Sequence, residues 1–441
     1  MTELLRRVLP TVQKPARYTG GEYNEIKKNL DEVRLRVAFC FPDTYEIGMS
    51  NVGMRILYGV MNQMDNVWCE RCYAPAADME EIMRAEGIPL FALESQDDLS
   101  QFDVVAFTLQ YELCFSNVLN MLDLAKIPLL SKDRTEECPI VIGGGPASYN
   151  PEPMADFFDV FSIGEGEEAL PEFMELYIKM KKDGTYTREA FLREVSHLEG
   201  FYVPSLYEVG YKVDGTMDYF RPKYPDVPAK IKKRIISDLD KVYYPDKFVV
   251  PYIETVHDRI MLEIFRGCIR GCRFCQAGMT YRPVRHASPD VLNCRAKTLY
   301  EKTGYDEISL SCLSVSDYPQ LSELTDKLLD WTDEKKVSLS LPSQRADAFT
   351  HELMKKISGV RQSGITFAPE AGTQRLRDAI NKNLYEEDLM KACNVAFDFG
   401  KTNVKLYFMS GLPTETDEDI KGIGELAEKV VREYYLNPNR I

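Results

Sequence analysis

One eight-residue stretch, Cys268-Ile-Arg-Gly-Cys272-Arg-Phe-Cys275, limits what this chain can fold into more than any other. Eleven cysteines among 441 residues seldom produce spacings of four and three by accident. A compact loop of this kind can turn three sulfurs toward one inorganic core, and glycines at 267, 271 and 278 let the backbone wrap closely around it. An electron-transfer cubane takes one thiolate for each iron. A loop that supplies three leaves an iron open to an exogenous ligand, just as a catalytic metal keeps a free position. On spacing alone, a zinc knuckle or a structural cluster with a remote fourth ligand stays open. The preceding run, Arg259-Ile-Met-Leu-Glu-Ile-Phe265, reads as a strand, apolar and without a breaker. As the first strand of a β/α barrel it places the cysteines at the carboxyl face, where barrel active sites are built.

Strand and helix patterns alternate on both sides of that point. Upstream, strands are expected at 35–41, 102–109, 139–143 and 160–163, with helices at 51–63, 114–125 and 167–182. The pattern implies a doubly wound parallel sheet with its ligand crevice at the strand carboxyl ends. Downstream, strands are expected at 307–310, 337–341, 364–367 and 403–409, with helices from Ser288-Pro-Asp290, at 321–331, 352–357, 373–380, 385–399 and 418–433. Ser288 as cap with proline behind it is a helix start. The expected fold class is therefore α/β, an N-terminal doubly wound domain followed by a partial (β/α) barrel. The expected division is an arm over 1–32, the doubly wound domain over 33–190, a hairpin and proline-rich connector over 191–255, and the barrel over 256–441. Five strands fit before Ile441, so the barrel reads as truncated before a sixth.

Composition narrows the setting. An apolar fraction of 44% suffices for ordinary cores. No apolar run is long enough for a membrane helix, and the N-terminus lacks the apolar segment of a secretory signal. An odd number of cysteines without a disulfide-like framework suits a reducing, cytoplasmic location. The net charge of −15 opposes nucleic acid globally. The one basic cluster, Lys230-Ile-Lys-Lys-Arg234, reads as a solvated linker. Cys69-Glu-Arg-Cys72 could be a redox pair or half of a zinc site, but it lacks a second half at zinc-ligand spacing and reads as two incidental cysteines.

At the cysteine loop the chain resembles the radical S-adenosylmethionine (SAM) superfamily, whose signature is C-x3-C-x-Φ-C with an aromatic at Φ, here Phe274. The resemblance implies that Cys268, Cys272 and Cys275 hold a [4Fe-4S] cluster. It implies that the open iron binds the amine and carboxylate of SAM, and that reductive cleavage yields methionine and a 5′-deoxyadenosyl radical. By the same resemblance, Phe274 packs near the adenine. Ser316 and Asp317 substitute for the Gly-Gly-Glu with which relatives bind the methionyl amine. Glu370, in Ala368-Pro-Glu-Ala-Gly-Thr373, accepts from the ribose. Arg375 or Arg377 pairs with the SAM carboxylate, Lys382 is a further cation, and the Gly411 backbone lies against the adenine. The bland alternative for each is helix capping or surface pairing. His286 reads as a structural polar residue.

Residues 33–180 resemble the cobalamin-binding domain that precedes many such cores, through Gly143-Gly-Gly-Pro146, Asn150-Pro-Glu-Pro153 and Ile163-Gly-Glu-Gly-Glu167. Its histidine-ligating form carries D-x-H-x-x-G after the first strand. Here the residues are Asp43-Thr-Tyr45-Glu-Ile-Gly48, and no histidine precedes His197. The resemblance implies either cobalamin held without a histidine ligand, against Asp43, Tyr45, Gly48, Gly144 and Gly145, or a domain that kept its shape and lost the cofactor. The expected activity is a radical SAM enzyme on an unknown substrate, RNA or protein, fed by a low-potential flavodoxin- or ferredoxin-like donor and independent of membranes. A cobalamin-dependent radical SAM methyltransferase is the sharper alternative. A non-catalytic Fe–S or RNA-associated binding module is the alternative of another class.

Overall fold

The computed structural model describes residues 3–342, 345–349, 351, 354–355 and 365–439. The chain forms two compact units, Met1–Ser237 with Val242–Asp258, and Asp238–Lys241 with Arg259–Ile441.

The first unit is built on β1 (Leu35–Phe41), β2 (Val67–Tyr73), β3 (Val104–Thr108), β4 (Ile140–Gly144), β5 (Val160–Ser162) and β6 (Phe201–Tyr202), in the order β2-β1-β3-β4-β5-β6. β1 to β5 are parallel and β6 runs against β5. Parallel strands covered on both faces are apolar throughout, and β1 fits this, with every residue but Arg36 buried. β2 is absent from the sequence reading because Glu70 and Arg71 interrupt its apolar run. Both are buried nonetheless. Buried charge is tolerated when it is paired. Glu70 accepts from Arg36 at 2.7 Å and from the Ser95 N–H at 2.9 Å. Arg71 meets Glu94 at 2.6 Å and Glu22 at 2.9 Å. Burial raises the Glu94 carboxyl against the pull of Arg71, whereas at Glu22 the arginine overcomes burial and holds the carboxyl low. Cys69 and Cys72 stand three residues apart on one strand, so their thiols point to opposite faces of the sheet.

The N-terminal stretch is not a polar arm. Helix Glu3–Val8 buries Leu5 and Val8, and Leu9, Val12 and Tyr18 join the same core. The expected hairpin after residue 200 is split at Pro204. Phe201–Tyr202 joins the main sheet as β6, while β7 (Tyr207–Tyr211) and β8 (Met217–Pro222) form the ribbon around Asp214-Gly215. In the basic cluster Lys230 and Lys232 are exposed, as a solvated segment requires, and Arg234 is strapped down. Arg234 forms a parallel bridge with Gly164 and pairs with Glu168 and Glu172 at 2.8 and 2.7 Å.

The second unit repeats the βα order. β9 (Ile260–Glu263) breaks at Ile264, and β10 (Phe265–Arg266) turns away to pair antiparallel with β11 (Arg285–His286). β12 (Glu307–Ser311) lies between β9 and β13 (Ser338–Ser340), all parallel. β14 (Ile365–Glu370) pairs in parallel with β15 (Val404–Phe408). Ser288 caps helix Pro289–Thr303 through the Val291 N–H. Most of the expected helix at 352–357, and Gly364, lie outside the described residues.

Replacing Arg71 by Met strands Glu22 and Glu94 without a counter-charge. The first unit should lose about 3–5 kcal/mol of unfolding free energy. Urea titration followed through Trp68, in a Trp331→Phe background, measures this. A loss under about 1 kcal/mol, the scale of an exposed pair, would mean the network is dispensable.

Candidate metal centre and ligand site

The cysteine loop begins where the chain crosses itself. Gly267 has φ +94°, and a Cβ there would stand 2.8 Å from the carbonyl oxygens of Tyr281 and Pro283, so no other residue fits. Beyond it, the Arg270 N–H points at Cys268 Sγ at 3.4 Å, and the Cys275 N–H donates to the Cys272 carbonyl at 3.1 Å. Cys268 and Cys272 are half-buried and Cys275 is exposed. Burial raises the Cys272 thiol; the Cys268 and Cys275 thiols add to that, and Lys382 and Arg345 oppose it. The three sulfurs therefore share one electrostatic neighbourhood.

Among the described residues, no three His, Cys, Asp or Glu side chains are gathered tightly enough to hold a single ion. Tetrahedral zinc with Zn–S bonds of about 2.3 Å needs its sulfurs about 3.8 Å apart. A polynuclear cluster bonds each sulfur to a different metal and wants them further apart. The donor set is three thiols on one loop, the ligand type that a polynuclear iron core takes.

Polar groups from four further segments surround this loop. Arg270 forms a fork with Asp317, Nε to Oδ2 at 3.0 Å, and its other nitrogen lies 3.6 Å from Asp347. Burial works to raise the Asp317 carboxyl, and Arg270 overcomes it and holds the group below its ordinary range. Ser316 Oγ accepts from the Arg345 N–H at 3.1 Å, and Arg345 pairs with Asp347 at 2.9 Å. Lys382 Nζ lies 3.1 Å from Glu370 and 5.9 Å from the Phe274 ring centroid. Glu370 ends β14 in the left-handed region, φ +69°, a conformation costly for a residue with a side chain. The structure thus brings together Cys268, Cys272, Cys275, Phe274, Ser316, Asp317, Glu370 and Lys382. Arg345, Asp347 and Asn381 were missed. The only sequence signal for Asn381 was the Asn-Lys-Asn run after a helix, where asparagine tolerates left-handed backbone.

Two expected cations are corrected. Arg377 is 1% exposed and spends its guanidinium inside the protein, on the carbonyls of Ala371 at 2.9 Å and Leu384 at 3.2 Å and on Gln374 at 3.0 Å. Arg375 binds Asp419 and the Thr414 carbonyl, joining helix Gln374–Ala379 to helix Asp417–Leu436. That joint is tight. A Cβ on Gly372 would lie 2.2 Å from the Ile423 nitrogen. Gly411 donates its N–H to Glu415 at 2.6 Å. Cys312, at the end of β12, feels the Cys268 thiol, and burial pushes its own thiol up to about 12.

In the first unit, Asp43, Gly144 and Gly145 lie at the carboxyl ends of β1 and β4, as the crevice requires. The Tyr45 hydroxyl turns inward, a second correction. Tyr45 is 1% exposed, donates its hydroxyl to Glu22 at 2.9 Å and packs edge-on against Tyr73. The Tyr73 ring fills the space beside Gly48. The short apolar helix Tyr45–Gly48 folds this face inward.

A doubly wound α/β unit followed by a partial β/α barrel with a three-cysteine loop defines a class of iron–sulfur barrel proteins. Residues 262–427 match the family described as the Radical SAM superfamily, and residues 53–204 match Radical SAM proteins, N-terminal. The chain belongs to the radical SAM superfamily. Membership implies a [4Fe-4S] cluster and SAM as cofactors. The chain is 30% identical over 400 residues to an uncharacterized protein, MJ0966, of Methanocaldococcus jannaschii, covering 90% of this chain and 74% of that one. It is 23% identical over 191 residues to the tRNA-2-methylthio-N(6)-dimethylallyladenosine synthase of Petrotoga mobilis, 41% of this chain and 43% of the relative. Among solved structures, it resembles the cobalamin-dependent SAM radical enzyme OxsB with aqua-cobalamin and SAM bound, at TM-score 0.57 and 13% identity over 89% of this chain and 51% of that one. It also resembles the radical SAM methyltransferase TsrM of Kitasatospora setae, at TM-score 0.56 and 11% identity over 90% and 71%. At these identities the likeness is one of fold, and this chain spans about half the length of OxsB. No helix among the described residues is long and apolar enough to cross a membrane.

If Arg377 is structural, Arg377→Gln should destabilise the second unit by about 2–3 kcal/mol, the cost of orphaning buried carbonyls, while iron bound per folded chain stays unchanged. Denaturant melts paired with iron assays test this.

Proposed function

We propose that Cys268, Cys272 and Cys275 hold the [4Fe-4S] cluster and that the groups around them position SAM for reductive cleavage. The observation that carries this reading is a three-cysteine loop tied to the turn that bears Lys382, with Asn381 Nδ2 on the Gly271 carbonyl at 2.7 Å and Lys382 Nζ 5.9 Å from the Phe274 ring. When bound, the cluster supplies one electron to the sulfonium, giving methionine and a 5′-deoxyadenosyl radical.

This chain's residues do the binding. Lys382 and Arg345 take the place of Arg375 and Arg377 as partners for the SAM carboxylate, since they stand beside the cysteine-loop groups, Lys382 against Phe274 and Arg345 on Ser316. Asp317, kept ionised by Arg270, receives the methionyl ammonium with Ser316 beside it. Glu370 accepts from the ribose hydroxyls, and its strained backbone aims the carboxylate. Phe274 and the Gly411 backbone flank the adenine. The electron donor is a low-potential flavodoxin- or ferredoxin-like protein, and the setting is the reducing cytoplasm.

Anaerobically reconstituted protein should release 5′-deoxyadenosine from SAM under dithionite. Cys272→Ala should abolish both iron binding and release, and full iron content in that variant would overturn the assignment. Release without any further substrate also separates an enzyme from a binding module that has kept the fold.

A cobalamin-dependent methyltransferase is the second reading, favoured by the glycine turn at the β4 carboxyl end. Loading with hydroxocobalamin should then leave a corrinoid absorption spectrum after gel filtration. Asp43→Ala should weaken it and Tyr45→Phe should not, because Tyr45 faces the core. A colourless protein sends this reading away and leaves the first intact.

A further inference from the structure

The turn that follows helix Gln374–Ala379 touches both halves of the site. Asn381 and Asn383 are left-handed, φ +54° and +50°, with Lys382 between them. Asn381 Nδ2 donates to the Gly271 carbonyl, the peptide just before Cys272, at 2.7 Å. The Arg273 N–H donates to the Ile380 carbonyl at 2.9 Å, and its guanidinium to the Ala379 carbonyl at 2.6 Å. Those hydrogen bonds tie the cysteine loop to the turn. From the same turn Lys382 reaches Glu370, and the Asn383 carbonyl accepts from Arg345 at 3.1 Å. The turn cannot shift without moving the cysteine loop and the cations together.

We propose that Asn381 is a positioning residue that couples occupancy of the SAM subsite to retention of the cluster. The inference rests on the cluster and SAM reading above. Asn381 lies outside the sulfur set and acts through the Gly271–Cys272 peptide. Its amide fixes the plane of that peptide and so the reach of the Cys272 sulfur. Its backbone fixes where Lys382 stands. Two sites biased by one element are linked, and the linkage is reciprocal.

The test uses the full chain, reconstituted anaerobically, with Asn381→Gly and Asn381→Asp. Glycine keeps the left-handed backbone and removes only the amide. Aspartate keeps size and backbone tolerance but has no donor for the carbonyl. Iron release to a ferrous chelator is followed without SAM, and the SAM dissociation constant is measured at matched iron content. Both variants should lose iron roughly tenfold faster and bind SAM roughly tenfold more weakly, the usual scale for an outer-shell partner, with thermal melts unchanged. A SAM constant at the wild-type value would make Asn381 a mere staple of the loop and overturn the coupling, as would iron release at the wild-type rate. If wild-type protein holds neither iron nor SAM, the functional reading itself has failed. If it holds both and the variants match it, only this proposal has.

Discussion

The cysteine loop depends on polar clamps, because it has almost no core of its own. Ile269 and Phe274, its two large apolar residues, are 62% and 37% exposed. Hydrophobic burial therefore cannot hold it. Three devices take its place: the glycine crossing at 267, the Arg270–Asp317 fork, and the bonds to the 379–381 turn. A part-buried, charge-assisted fork contributes about 1.5–3 kcal/mol, and the neutral bonds less each. The loop is thus oriented by directional bonds. That suits a site in which sulfur positions must stay fixed while one face remains open to a ligand.

The first unit solves a different problem, how to bury charge without weakening a parallel sheet. Arg71 sits on β2 among Glu22, Glu25 and Glu94, at 2.9, 3.4 and 2.6 Å. Glu22 also receives the Tyr45 hydroxyl. One network therefore anchors the N-terminal segment, fixes β2 and pulls Tyr45 into the core. Replacing a histidine by tyrosine at this position removes a metal ligand, and the network then uses the ring as packing.

Arg377 shows why residue type does not settle role. An arginine on the helix behind a strand end looks like a carboxylate partner. Only the folded chain reveals that its guanidinium satisfies the Ala371 and Leu384 carbonyls. Lys382, in the turn that follows the same helix, has the neighbours that Arg377 lacks.

The sequence by itself determined the α/β class, the parallel order of elements and the three-cysteine loop. Those depend on local periodicity and on spacing within a single loop, both of which are written along the chain. It also showed that no histidine could serve the first domain before residue 197. Tertiary structure alone decided β2, the inward turn of Tyr45, the burial of the Arg377 guanidinium, the Lys382–Glu370 pair and the Asn381 bond to Gly271. Each of these depends on a side chain finding its partner on another segment, and such pairing leaves no periodic trace in sequence.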